Sequence, residues 1–184
     1  MRFVARLHLP DGLLDVVADR GDAVEVPAAA VAGLLDRRDR RDRITLDGRR
    51  IDRRGTAGRV RAGLASVSDA VVAPDVSVRD HLAAVTSVRR ADDLLASSPL
   101  LAGRGDGPAG VLSGGERRVL AVLRAVATGP RVVLLDGAGE GLDAASLAWL
   151  GDVVRDWRAA GVPVLVRPGR PEERSWLDPG PRGA

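Results

Sequence analysis

The chain has 184 residues, 45% of them apolar and 29% charged, which is enough apolar side chain for one globular core and argues against global disorder. It has no cysteine and only two histidines, His8 and His81, so a disulfide framework, a thiol nucleophile, a Cys-based metal site and a multi-histidine metal centre are excluded. All 28 basic residues are arginine against 25 acidic ones; the net charge of +3 does not by itself imply a nucleic-acid partner, and no lysine or glutamine exists to grip a phosphate or position a water. No run approaches the roughly 20 apolar residues of a membrane helix, and no signal peptide is expected at the N-terminus.

Residues 2–26 predict strands and turns: a strand around Val4, a turn at Pro10-Asp11-Gly12, an apolar run over 13–18, and a strand over 23–26 that Pro27 stops. The Ala-rich stretch Ala28–Leu35 predicts a short helix. The run DRRDRRDR over 36–43 reads as a solvated, self-compensating charged turn. Residues 44–46, Asp47-Gly48 and 49–51 predict a hairpin, because Asp-Gly supplies the two positive φ values a tight hairpin turn requires. Leu64–Val67 predicts a short buried strand. Ser77 is placed to cap a helix from Val78, on which His81 is expected to be exposed. Residues 103–110 form a Gly/Pro loop.

The most informative block is Leu112-Ser113-Gly114-Gly115-Glu116, which precedes an amphipathic helix with Val119, Leu120, Val122, Leu123 and Val126 on one face. Residues 132–135, Val-Val-Leu-Leu, are continuous and apolar, as in a strand buried on both faces of a parallel sheet, and they end on Asp136. A Gly-rich loop over 137–141 leads to Leu142-Asp143. A second amphipathic helix follows with Leu147, Leu150, Val154 and Trp157, then a strand over 162–166 with Pro163 at its start. Beyond Arg167 the chain is rich in Pro, Gly and Arg, with only Trp176 and Leu177 to anchor it, so a loosely held tail is expected. The alternation of buried strands and helices argues for an α/β domain.

These residues resemble the ATP-binding subunit of ABC transporters. Leu112 to Glu116 is similar to the signature motif, residues 132–136 to the Walker B strand, and Gly141-Leu142-Asp143 to the D-loop. Fainter resemblance spans residues 3–168. It includes Arg43 to Arg49, similar to the family's G-x-I-x-x-x-G hairpin, and Pro74 to Leu82, similar to a run found in transporters of the branched-chain amino acid type. The resemblance implies an α/β fold with a P-loop NTPase-like core, its mostly parallel sheet flanked by helices. An N-terminal antiparallel β subdomain and a small helical subdomain at about 76–112 would complete a single domain over 1–168, followed by a tail over 169–184. It further implies ATP and Mg²⁺ as ligands, a membrane-spanning permease and a sister ATP-binding subunit as partners, and a cytoplasmic location at the inner face of the cell membrane.

The departures from the family pattern set the functional expectation. Its nucleotide loop, G-x-x-x-x-G-K-[ST], surrounds phosphates with backbone N–H groups and neutralises them with lysine. Here the corresponding stretch is Pro27 to Gly33, several residues short, with Gly33 alone remaining and no lysine. Gly137 stands where the catalytic glutamate would follow Asp136, Asp69 falls near the Q-loop glutamine, and Pro168 falls near the switch histidine. Glu140 is three residues from the glutamate position. The expectation is a degenerate subunit with no intact catalytic residue of its own. It would offer Ser113, Gly114, Gly115, Glu116 and Asp143 in trans to ATP held by a partner, so that ATP and Mg²⁺ are bound only when shared. The alternative is a non-catalytic interaction or regulatory module that keeps the fold without nucleotide, with Ser113 serving only as a helix cap. For Asp136, metal contact and a hydrogen bond to the following loop are both open. A nucleic-acid role ranks last, since acidic residues interleave with the arginines and aromatics are 2% of the chain.

Overall fold

The computed structural model describes residues 1–9, 12–35, 41–68 and 72–178. In chain order the elements are β1 (Phe3–Leu9), β2 (Gly12–Ala18), β3 (Ala23–Glu25), α1 (Ala28–Leu35), β4 (Arg43–Leu46), β5 (Arg49–Arg50), α2 (Thr56–Arg61) and β6 (Leu64–Val67). They continue with α3 (Val78–Ala83), α4 (Val88–Ala96), a 3₁₀ turn (Ala109–Val111), α5 (Gly114–Ala127), β7 (Val132–Asp136), α6 (Ala144–Ala159), β8 (Val164–Arg167) and a 3₁₀ helix (Pro171–Leu177).

Two four-stranded sheets organise the chain. One is antiparallel, in the order β2-β1-β4-β5; the other is parallel, in the order β3-β8-β7-β6. The continuous apolar run of β7 follows from its place inside the parallel sheet. Val132 and Leu134 face the antiparallel sheet and α1, while Val133 and Leu135 face the helical side with α5 and α6. All four side chains are fully buried. Each such burial stabilises the fold by about 1.5–3 kcal/mol. The hairpin between β4 and β5 turns at Asp47 and Gly48, with φ of 48° and 74°.

The helix α1 starts two residues after β3, with only Val26 and Pro27 between them. Gly33 is a packing residue on α1: a Cβ there would lie 3.3 Å from Leu7 Cδ2 of β1. The C-terminal carbonyls of α1 are held by the buried Arg59, which donates to Gly33 O, Leu34 O and Asp52 O. A planar guanidinium reaches three carbonyls at once, which an ammonium on a flexible stem does less well.

Several expectations need correction. His81 is buried: its Nδ1–H donates to Ser77 O at 2.8 Å and its Nε2 accepts from Ala73 N at 3.0 Å. That pairing spends both ring nitrogens on the turn that leads into α3. Part of the charged run is also internal, since Asp42 is buried and accepts from His8 N at 2.8 Å. The segment after Arg167 is docked through its 3₁₀ helix. Trp176 is 7% exposed and Glu173 fully buried. Arg158 of α6 donates to Trp176 O and Asp178 O, each at 2.8 Å. Gly151 makes room for the indole, as a Cβ there would lie 3.3 Å from Trp176 Nε1. Apolar anchors alone underestimated the attachment because much of it is polar.

The helix α2 lacks an expectation, and α4 is expected only as part of the helical subdomain at about 76–112. In α4 the charges of Val88–Ala96 obscure a stripe of Ala91, Leu94 and Leu95 that packs inward behind the Ser87 cap. The Pro10-Asp11 turn, residues 36–40 of the charged run, Asp69 and residues 179–184 lie outside the described residues. No helix among the described residues is long and apolar enough to cross a membrane.

Removing the indole should detach the 3₁₀ helix. Trp176→Ala is expected to lower unfolding free energy by about 3 kcal/mol, the cost typical of truncating a buried aromatic, measured by urea denaturation.

Candidate functional site

The signature residues begin α5. Ser113, in extended backbone conformation, caps the helix: its Oγ accepts from Glu116 N at 3.3 Å, while its N–H donates to Glu116 Oε2 at 2.8 Å. This reciprocal capping box explains why Ser and Glu stand three residues apart. The hydrogen bond from Ser113 N holds the Glu116 carboxyl below the usual carboxylate range, helped by Arg104 at 2.9 Å. Ser113 and Gly114 are exposed. Gly115 lies against the loop that follows β7, where a Cβ would be 3.1 Å from Gly141 O. The fold therefore brings Gly115 next to Gly141 and Leu142. Asp143, also exposed, caps α6 by accepting from Ser146 N at 2.8 Å, which holds its carboxyl low.

Asp136 ends β7, and Arg167 ends β8 directly opposite it in the parallel register. Arg167 Nε donates to Asp136 Oδ1, and Arg167 Nη2 lies 3.7 Å from Glu140 Oε1. Neither use the sequence leaves open for Asp136 names this partner, a guanidinium from the neighbouring strand. Gly137 follows with φ of 59°; a Cβ there would lie 2.6 Å from Glu140 Oε1 and 2.8 Å from Arg167 Nη2. The positive φ disfavours any other residue at this position, and a side chain there would displace the ends of Arg167 and Glu140. Pro168 is half-buried beyond Arg167 and carries no proton-transferring group.

Three further side chains close around the loop, and the sequence did not single them out. Arg118 of α5 donates to Glu140 O, and Arg170 donates to Leu142 O at 2.8 Å. Glu173 Oε1 accepts from Gly139 N at 3.2 Å while its Oε2 is buried without a hydrogen-bond partner. Burial pushes the Glu173 carboxyl above its ordinary range, against backbone N–H groups that favour its charge. Arg167 had one readable signal: both apolar strands end on a charged residue, of opposite sign. Glu173 had none. Among the described residues no cluster of three or more His, Cys, Asp or Glu is arranged to hold a metal ion.

Residues 28–139, more than half of the chain, match the sequence model of the ABC transporter family. The chain belongs to this family. As an ABC transporter nucleotide-binding domain it has relatives among curated proteins. LptB of Haemophilus influenzae, the ATP-binding protein of a lipopolysaccharide export system, is 29% identical over 147 residues, which is 74% of this chain and 60% of LptB. MetN of Thermobifida fusca, a methionine import ATP-binding protein, is 32% identical over 177 residues, 87% of this chain and 53% of MetN. LptB of Acidithiobacillus ferridurans is 46% identical over 55 residues, 30% of this chain and 23% of that LptB. The ABC domain thus spans between 23% and 60% of the length of these relatives. The fold is shared with the ATP-binding subunit of an ABC transporter (TM-score 0.79, 17% identity, 96% of this chain and 83% of that one). It is also shared with a dimeric ATP-binding cassette in a post-hydrolysis state bound to ADP and phosphate (TM-score 0.76, 14% identity, 96% and 91%).

Glu173 gives the ABC domain a pH signature. Its folded pKa lies above the ordinary 4.5, so its contribution to stability is complete below that value and is lost as pH rises through the raised one. Glu173→Gln, which imitates the protonated acid, is expected to match the wild type in urea midpoint below the ordinary carboxylate pKa of 4.5 and to exceed it as pH rises above that, until the excess levels off past the raised pKa.

Proposed function

We propose that this chain is a degenerate ABC ATP-binding subunit that does not hydrolyse ATP at its own nucleotide loop and offers its signature face to ATP held by a partner. The observation that carries the reading is the connection from β3 to α1. It consists of Val26 and Pro27, with Gly33 inside the helix and no lysine anywhere in the chain. A phosphate cradle needs a run of backbone N–H groups and a cation, and two residues, one of them proline, do not supply it. The residues present do not fit ATP with Mg²⁺. Asp136 is engaged by Arg167, and the space at Gly137 is filled by Arg167 and Glu140. A general base contributes about 10²–10⁴-fold to a reaction, and neither Gly137 nor Pro168 can act as one.

The signature half has different needs. Exposed N–H groups at the start of a 14-residue helix, with the positive end of its dipole, suit a phosphate presented from outside. Ser113, Gly114, Gly115 and the adjoining Gly141 to Asp143 segment form such a surface, with Glu116 and the Asp143 cap holding it in shape. The partner is a sister ATP-binding subunit that brings ATP and Mg²⁺. A membrane-spanning permease completes the assembly at the inner face of the membrane. The similarity to a cassette that is dimeric with ADP and phosphate supports a two-subunit arrangement.

One observation favours the alternative of a non-catalytic module that keeps the fold without nucleotide: the Ser113 hydroxyl and N–H are both spent on Glu116 within the chain.

Mixing the chain with a competent sister subunit separates the two. The wild type is expected to raise the partner's phosphate release, and Ser113→Arg to abolish that gain. An unchanged rate with Ser113→Arg sinks trans-completion and leaves the module. The isolated chain is expected to show no turnover with Mg²⁺ and ATP in a phosphate-release assay, and turnover lost in Asp136→Asn would overturn the degenerate reading.

A further inference from the structure

A loop with glycine at 137, 139 and 141, two of them at positive φ, gives up much conformational freedom when ordered. It therefore needs something to organise it. In a chain that holds no ATP of its own, as proposed above and on which this inference rests, nucleotide is not that organiser.

We propose that Arg167 is a positioning residue: an internal cation, paired with Asp136, that sets the 137–143 loop together with Arg118, Arg170 and Glu173 and makes the face offered in trans independent of nucleotide. Three observations converge on it. The first is register. Asp136 and Arg167 are directly paired at the ends of adjacent parallel strands, so their side chains leave the sheet on the same face. The second is reach. The Arg167 fork spans Asp136 through Nε and approaches Glu140 through Nη2, and it fills the volume beside Gly137. A lysine there would supply one point charge and no fork. The third is enclosure. Loop carbonyls at Glu140 and Leu142 accept from Arg118 and Arg170, and the Gly139 amide donates to Glu173. Only short-range turns, Glu140 N to Gly137 O and Leu142 N to Gly139 O, hold the loop from within.

The loop is thus bound to α5, β8 and the C-terminal 3₁₀ helix at once. The contact of Gly115 with Gly141 carries that constraint to the signature. Removing Arg167 takes from Asp136 and Glu140 the guanidinium they share and leaves the Gly137 flank empty.

Hydrogen exchange followed by mass spectrometry on the full chain tests this. Arg167→Met is expected to speed exchange of the 137–143 amides by about tenfold, as for loss of a charge-assisted hydrogen bond, with β1 and β4 unaffected. Arg167→Lys should give an intermediate rate. Adding Asp136→Asn to Arg167→Met should add little, because the two residues act as one unit. Should Arg167→Met not fold, Arg167→Lys and Asp136→Asn carry the same comparison. Exchange in 137–143 that none of the variants changes would overturn the proposal. Calorimetry with Mg²⁺ and ATP on the wild type runs alongside: tight binding there would overturn the functional reading while leaving the Arg167 result to be judged by the variants.

Discussion

The ion pair between Asp136 and Arg167 is the constraint around which the rest of the site is arranged. Both residues are the last positions of strands whose other side chains are fully buried and apolar, where an isolated charge would be costly and a matched pair is tolerated. With side chains 21% and 29% exposed, the pair is neither a surface ornament nor a sealed core bridge. Its geometry dictates what can surround it. The guanidinium and the Glu140 carboxylate occupy the space beside Gly137, whose positive φ suits glycine, and Glu140 folds back over the strand ends toward Gly169. The 3₁₀ helix Pro171–Leu177 closes the far side with Glu173 and Trp176.

The stability of the ABC fold is spread over both faces of its parallel sheet. The two hydrophobic clusters sit on opposite faces of the parallel sheet, and of the β3 to α1 connection Val26 alone joins one of them. The helix α1 rests on β1 through Gly33 and Leu7, with Arg59 satisfying its C-terminal carbonyls. On the reading proposed above, a site is lost while the scaffold is kept, since a cationic cradle is a local arrangement of backbone and charge and the core is a distributed one.

The same separation underlies the proposed pairing of a usable signature with a nucleotide loop that does not hold ATP. The exposed start of α5 owes its shape to a capping box and to close approach of Gly115 and Gly141, both internal to the chain. Nothing in that shape requires a phosphate to be present. The functional reading and the Arg167 inference both describe a subunit whose partner-facing surface is built by its own side chains.

Much of the fold was legible in the residues themselves. The Asp-Gly hairpin, the Ser77 and Ser113 caps, the uninterrupted strand Val132–Asp136 and the helix Ala28–Leu35 follow from turn chemistry, capping and periodicity, all of which act within a few residues. The family followed from ordered motifs between Leu112 and Asp143, and the absence of lysine was a matter of counting. His81 was misjudged because its two hydrogen-bond partners lie in a turn whose path the sequence does not spell out. The docked 3₁₀ helix was misjudged because Glu173 and Arg158 attach it through partners far along the chain. Composition and local pattern by themselves determined most of the strands, turns and caps and the absence of lysine, glutamine and cysteine, because these are counted or act within a few residues. Only the tertiary structure decided that Arg167 meets Asp136, because the register of two strands 31 positions apart is set by the packing of the whole sheet and not by either strand alone.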